Sequence, residues 1–228
     1  MHIAHVSTAE GAGLIGQAKA ASAHEVTAET CPHYLMLDKS DLERLGPYGM
    51  INPPVRGTRK DMEGLWTALS GGVIDCIATD HAPHLITEKE VGWENIFEAA
   101  PGAIGVQTML PLMLTSVNEG RLSLCKMVEL MAFNPAKIFD LYPRKGIIQL
   151  GSEADLVIVD MERKVTIRAE DQHSKMPFTP YDGWDVQGTP EITILRGEVA
   201  ARNGEPTVTP GYGEWLRSMA ATDSSRAR

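Results

Sequence analysis

The sequence predicts an α/β fold in which short parallel strands alternate with helices. Apolar or alternating runs at residues 1–8, 25–31 and 73–80 read as strands, and none is followed by a hairpin turn. Stretches of helical spacing separate them, as crossover connections between parallel strands require. The third run, Ile74-Asp75-Cys76-Ile77-Ala78, stops where Asp80, His81, Pro83 and His84 crowd together. Function in such folds sits at the C-terminal ends of the strands. A carboxylate there is costly to desolvate unless a metal, a cation or a protonated partner compensates it. Asp80 is therefore the leading candidate, with an ordinary Asp-x-x-Pro turn as the plain structural alternative.

The elements follow in order. The first strand contains His2-Ile3-Ala4-His5-Val6-Ser7-Thr8 with no lead-in before it, which suggests the C-terminal part of a longer enzyme or half of a split one. Residues 9–23 place Leu14, Ile15 and Ala18 at helical spacing, and His24 then stands at a helix end, where it meets the macrodipole. The second strand is closed by Cys31-Pro32-His33-Tyr34, and this turn context makes His33 a structural or surface histidine. Asp38 or Ser40 can cap a short helix through Leu45, which Gly46-Pro47-Tyr48-Gly49 breaks. Asn52-Pro53-Pro54-Val55-Arg56 forms a rigid loop. Met62, Leu65, Trp66 and Leu69 share one face of a helix that Gly71-Gly72 ends. The mixed stretch after His84, to about residue 103, has the length of a functional lid. Helices are expected at 105–118 and 123–133, with Asn134-Pro135 as the cap and first turn of another. Gly146-Ile147-Ile148 and residues 154–160 read as strands, residues 191–199 with Asn203-Gly204 as hairpin, and 216–228 as a disordered tail.

Composition excludes several classes. The net charge of −9 and the absence of a Lys/Arg-rich run argue against a nucleic-acid partner. No apolar stretch approaches the roughly 20 residues that cross a bilayer. Cys31, Cys76 and Cys125 are too few for a disulfide framework, so the sequence reads as cytoplasmic.

Six stretches, in order, resemble the cyclic amidohydrolases of the amidohydrolase superfamily, and dihydroorotases most. They are His5-Val6-Ser7-Thr8, Thr27-Ala28-Glu29-Thr30-Cys31-Pro32-His33-Tyr34-Leu35, Asn52-Pro53-Pro54-Val55-Arg56, Thr79-Asp80-His81-Ala82-Pro83-His84, Asn134-Pro135-Ala136-Lys137-Ile138-Phe139 and Ala154-Asp155-Leu156-Val157. The resemblance implies the last three strands of a (β/α)₈ TIM-type barrel within residues 1–143, followed by β-sandwich strands at 144–215. It makes His5 and Asp80 metal ligands, of one or two zinc or other divalent ions. It makes Asp80 the base that accepts the attacking water's proton and the acid that returns it to the leaving nitrogen. Asn52, His84, Pro101 and Gly102 contact the substrate, a small cyclic amide. A histidine at position 84 suits a substrate with a free carboxylate, which favours dihydroorotase over the hydantoinase and allantoinase alternatives. The family's first-strand His-x-His pair, fourth-strand bridge and fifth-strand histidine have no counterpart among the 228 residues. The expected partners are therefore a second copy or a missing N-terminal half, and a non-catalytic assembly role stands as the competing reading.

Overall fold

The computed structural model describes residues 1–21 and 25–219. His24 and residues 220–228 of the expected tail lie outside them; within 216–219, Met219 donates its N–H to Asp140 O at 2.9 Å.

Three short strands, β1 (His2–Ile3), β2 (Thr27–Thr30) and β3 (Cys76–Ile77), form a parallel sheet in that order. His2 pairs with Thr27 and Glu29 with Cys76. The regular strands are shorter than the sequence suggests, but their hydrogen bonding runs on. Val6 N–H reaches Glu29 O at 2.8 Å, Thr30 Oγ1 reaches Val6 O at 2.7 Å, and Ala78 N–H reaches Thr30 O at 2.9 Å. These bonds bring the three strand ends level. Asp75 fixes the register from the other side, accepting from Ala28 N–H at 2.7 Å and from Lys19 Nζ at 2.6 Å.

The crossovers are α1 (Ala9–Ala21) and α4 (Arg59–Ser70). Helix α4 starts where Asp61 Oδ2 accepts from Thr58 N–H and Thr58 Oγ1, satisfying donors that a helix N-terminus leaves open. Its buried face is Leu65, Trp66, Ala68 and Leu69, close to the stripe that the spacing predicts. Leu65 is fully buried, so Leu65→Ala should cost about 2–5 kcal/mol in denaturant unfolding. A loss below about 1 kcal/mol would place Leu65 outside the core.

Several expectations need correction. Cys31-Pro32-His33-Tyr34 does not merely close β2 but opens α2 (Pro32–Met36), because Pro32 stands at the first helical position. Neither Asp38 nor Ser40 caps α3 (Asp41–Leu45) with its side chain; Asp38 Oδ1 is taken by Ser40 N–H and Oγ. The stretch after His84 contains α5 (Ile86–Glu90) and two 3₁₀ turns. Beyond α6 (Met109–Asn118) and α7 (Leu124–Val128), a π-helical turn, Glu129–Phe133, runs directly into α8 (Asn134–Ile138). Asn134 is thus not a cap, and its Nδ2 donates instead to Asp75 O at 2.7 Å. Gly146-Ile147-Ile148 is not a strand but part of an irregular corner clamped by Lys145 against Glu153 and Asp155.

The C-terminal strands β4 (Leu156–Thr166), β5 (Asp185–Leu195), β6 (Glu198–Arg202) and β7 (Glu205–Pro206) form one antiparallel sheet. Arg196-Gly197 and Asn203-Gly204, all at positive φ, make its two tight turns. Among the described residues its partner layer is α6, not a second sheet. Gly188 permits this packing, since a Cβ there would lie 2.6 Å from Leu114 Cβ. No helix among the described residues is long and apolar enough to cross a membrane.

Candidate active site

The backbone changes hand at two of the strand ends. His5 has φ 41° and Asp80 φ 47°, a left-handed conformation that costs a non-glycine residue energy and concentrates at functional sites. Between them, at the end of β2, stand Cys31 and His33. Ligand atoms of Cys31, His33 and Asp80 lie within 4.8 Å of one another. His5 is close enough to His33 to lower its pKa electrostatically but falls outside that compact set.

Burial shapes the chemistry of this cluster. Burial, and then the electrostatic influence of His5, lower the His33 pKa to about 4, so its imidazole is neutral at physiological pH. His33 is only 4% exposed, and its Nε2 has no hydrogen-bond partner. The surface alternative for His33 therefore falls. Burial pushes the Cys31 thiol up, and the Asp80 and Glu29 carboxylates push it further. A neutral imidazole, a sulfur and a carboxylate make an N/S/O donor set that suits a borderline divalent ion such as zinc, and the orphaned Nε2 fits a metal ligand.

Of the expected substrate contacts, His84, Pro101 and Gly102 meet one another against the loop that carries Asn52. His84 Nε2 lies 3.0 Å from Pro101 O, and Gly102 N–H donates to Met50 O at 2.9 Å, two residues from Asn52. Tyr34 Oη donates to Pro53 O at 2.6 Å, so α2 holds the same loop. Asn52 and Arg56 are exposed on it. His81 closes the far side: Ala82 N–H bonds Ala103 O at 2.9 Å, and His81 Nδ1 accepts from Gly105 N–H at 3.1 Å. His2, by contrast, is engaged elsewhere, with Nδ1 2.8 Å from Thr27 Oγ1 and Nε2 3.0 Å from Glu29 Oε2.

Sequence reasoning missed Lys89. It is fully buried on α5, its Nζ donates to Met50 O at 2.8 Å, and burial lowers its pKa to about 8. Only its place between Glu88 and Glu90 in the stretch after His84 could have hinted at an inward anchor. The unfolded chain keeps this proton to about pH 10.5, so between those values the unfolded state binds more protons and stability rises with pH. The burial cost is in force below pH 8 and is relieved as pH climbs towards 10.5. Cys31, Cys76, Tyr34 and Tyr181, all raised by burial, act in the opposite sense, so the effect is read as a difference. Unfolding free energy of wild type minus that of Lys89→Met should grow by about 1–3 kcal/mol between about pH 7.5 and 10. Parallel profiles in urea would contradict it.

Parallel strands that deliver carboxylate, imidazole and thiol to one end define an α/β protein with a candidate metal site at its strand C-termini. Comparison with known proteins gives the family: the profile described as "Amidohydrolase family" matches residues 1–200, and the chain belongs to that family. It is 42% identical over 215 residues to the L-hydantoinase of Paenarthrobacter aurescens, covering 94% of this chain and 46% of that protein. It is 41% identical over 221 residues to the dihydroorotase of Methanosarcina acetivorans, covering 94% and 46%. The solved L-hydantoinase (dihydropyrimidinase) from Arthrobacter aurescens superposes with a TM-score of 0.90 at 41% identity, over 95% of this chain and 48% of that one. The chain thus spans about half the length of the relatives it matches.

Proposed function

We propose that this chain belongs to a zinc-dependent cyclic amidohydrolase that opens dihydroorotate to N-carbamoyl aspartate, the ring-opening step of pyrimidine biosynthesis. The observation that carries the reading is the juxtaposition of Asp80, in its strained conformation, with further ligand atoms at the strand ends. In this reading β1, β2 and β3 are the last three strands of a (β/α)₈ barrel within residues 1–143, and residues 144–215 belong to the C-terminal sandwich. His5 and Asp80 hold one or two ions. The relatives' greater length supports completion by an N-terminal half or by a second copy.

A bound divalent ion supplies Lewis acidity and lowers the pKa of an attacking water. Asp80 accepts that water's proton as the C–O bond forms, then delivers it to the ring nitrogen as the C–N bond breaks. His84 holds Nε2 on Pro101 O at 3.0 Å and its Nδ1 stands 3.8 Å from Glu88 Oε2, so a charge-assisted bond from Nδ1 to the substrate carboxylate takes the place of the Glu88 contact. Gly102, Pro101 and Asn52 shape the rest of the pocket.

A second reading, hydantoin or dihydropyrimidine hydrolysis, is favoured by the 42% identity to an L-hydantoinase and by solved neighbours of that name. The test is ring opening of dihydroorotate and of hydantoin by the zinc-loaded protein. Preference for dihydroorotate is expected. Preference for hydantoin selects the second reading, and turnover of neither, by the chain alone or with an N-terminal half supplied in trans, overturns both.

A further inference from the structure

We infer that Lys89 is a positioning residue for the substrate pocket: from α5 it holds the Asn52 loop and the Pro101-Gly102 segment together through one carbonyl, that of Met50. The inference rests on the cyclic-amide reading above and on the substrate contacts named there.

A carbonyl oxygen can accept two hydrogen bonds, and two donors distant in sequence reach Met50 O. Lys89 Nζ donates to it at 2.8 Å and Gly102 N–H at 2.9 Å. Met50 stands two residues before Asn52, with buried Ile51 between them. The shared acceptor therefore ties the Asn52 loop to the segment that carries Pro101 O. Glu88, the neighbour of Lys89, holds the same segment one step earlier, its carbonyl accepting from Ala100 N–H at 2.9 Å. The Glu88 carboxylate in turn lies 3.8 Å from His84 Nδ1. Two adjacent residues of α5 thus reach all three segments that carry the expected substrate contacts.

A lysine is a costly choice for this place. Its side chain is fully buried, and among the described residues its acceptor is Met50 O, with no carboxylate paired to it. An apolar side chain of similar length would fill the space without the cost of burying a charge. What the ammonium adds is a directed, charge-assisted bond at the end of a four-carbon stem. Gly102 leaves no slack on its other side, since a Cβ there would lie 2.5 Å from Ala82 Cβ and 3.2 Å from His84 Cδ2. When Met50 O shifts, Gly102 either follows it or gives up the bond, and the contact between His84 and Pro101 O changes with it. Substrate-positioning groups are sensitive to displacements of about an ångström.

A second tie joins the same two stretches of chain at the surface, where Tyr48 Oη donates to Glu90 Oε1 at 3.0 Å. It fastens α5 without touching Met50 O, and so serves as the control.

The test compares wild type, Lys89→Met, Lys89→Leu and Tyr48→Phe as zinc-loaded 228-residue chains, with an N-terminal half supplied in trans where the chain alone shows no turnover. The substrate is whichever of dihydroorotate and hydantoin the wild type opens. Both Lys89 variants should raise KM by about tenfold or more, keep kcat within about threefold and bind zinc as wild type does. Tyr48→Phe should leave KM within about twofold. Hydrogen exchange gives a readout that needs no turnover: the Gly102 amide should exchange about tenfold faster or more in both Lys89 variants and at the wild-type rate in Tyr48→Phe. An unchanged KM, an unchanged Gly102 exchange rate, or an equal rise in KM with Tyr48→Phe overturns the inference and leaves the proposed function standing. Loss of the fold in both Lys89 variants would make Lys89 a structural residue and also overturns it. If the wild type opens neither ring, the proposed function and this inference fail together.

Discussion

Asp80→Asn is expected to lower ring-opening turnover by about a thousandfold or more while leaving the fold intact. The amide matches the carboxylate in size but cannot take up a proton at neutral pH and is a poor metal ligand. The backbone makes this substitution unusually clean. Asp80 sits at φ 47°, a conformation that asparagine tolerates at least as well as aspartate. The melting temperature of the metal-free protein should therefore stay within a few degrees of wild type, while kcat collapses. A variant that keeps more than a tenth of wild-type kcat would remove Asp80 from the proton-transfer role.

Gly102→Val should have the second largest effect, and it acts through geometry. Gly102 has φ 147°, which side-chain-bearing residues rarely adopt. A Cβ there would lie 2.5 Å from Ala82 Cβ, 2.7 Å from Ala82 O and 3.2 Å from His84 Cδ2. The segment must then move off the Asp80-His84 loop, giving up the Gly102 N–H bond to Met50 O and disturbing the contact between His84 and Pro101 O. A displacement of this kind should raise KM for dihydroorotate by about tenfold to a hundredfold and cost about 2–4 kcal/mol of stability. Steady-state kinetics and urea unfolding of the same preparation check both. An unchanged KM would place Pro101 and Gly102 outside the substrate pocket.

The parts that could be read from the sequence are those written in local pattern. The α4 stripe of Leu65, Trp66 and Leu69 follows helical spacing, and the glycine-bearing turns of the β4–β7 sheet follow from backbone conformations that few residues adopt. What stayed hidden depends on tertiary partners. Asn134 looks like a cap, but it bonds a carbonyl at the start of β3 that is far away in sequence. Gly146-Ile147-Ile148 has strand composition, yet the ion pairs of Lys145 with Glu153 and Asp155 bend it into a corner. His33 looks like a turn residue until burial on α2 leaves its Nε2 without a partner and brings its ring within reach of Cys31 and Asp80. Lys89 has no sequence signature of burial, because only the approach of Met50 O gives its ammonium a partner.

Zinc binding by calorimetry, wild type beside Asp80→Ala, tests most directly whether these strand ends form the metal centre of a cyclic amidohydrolase. The account predicts about one to two zinc ions per wild-type chain and loss of that binding when Asp80 is removed. Zinc near zero in the wild type, or equal binding in both proteins, would contradict it.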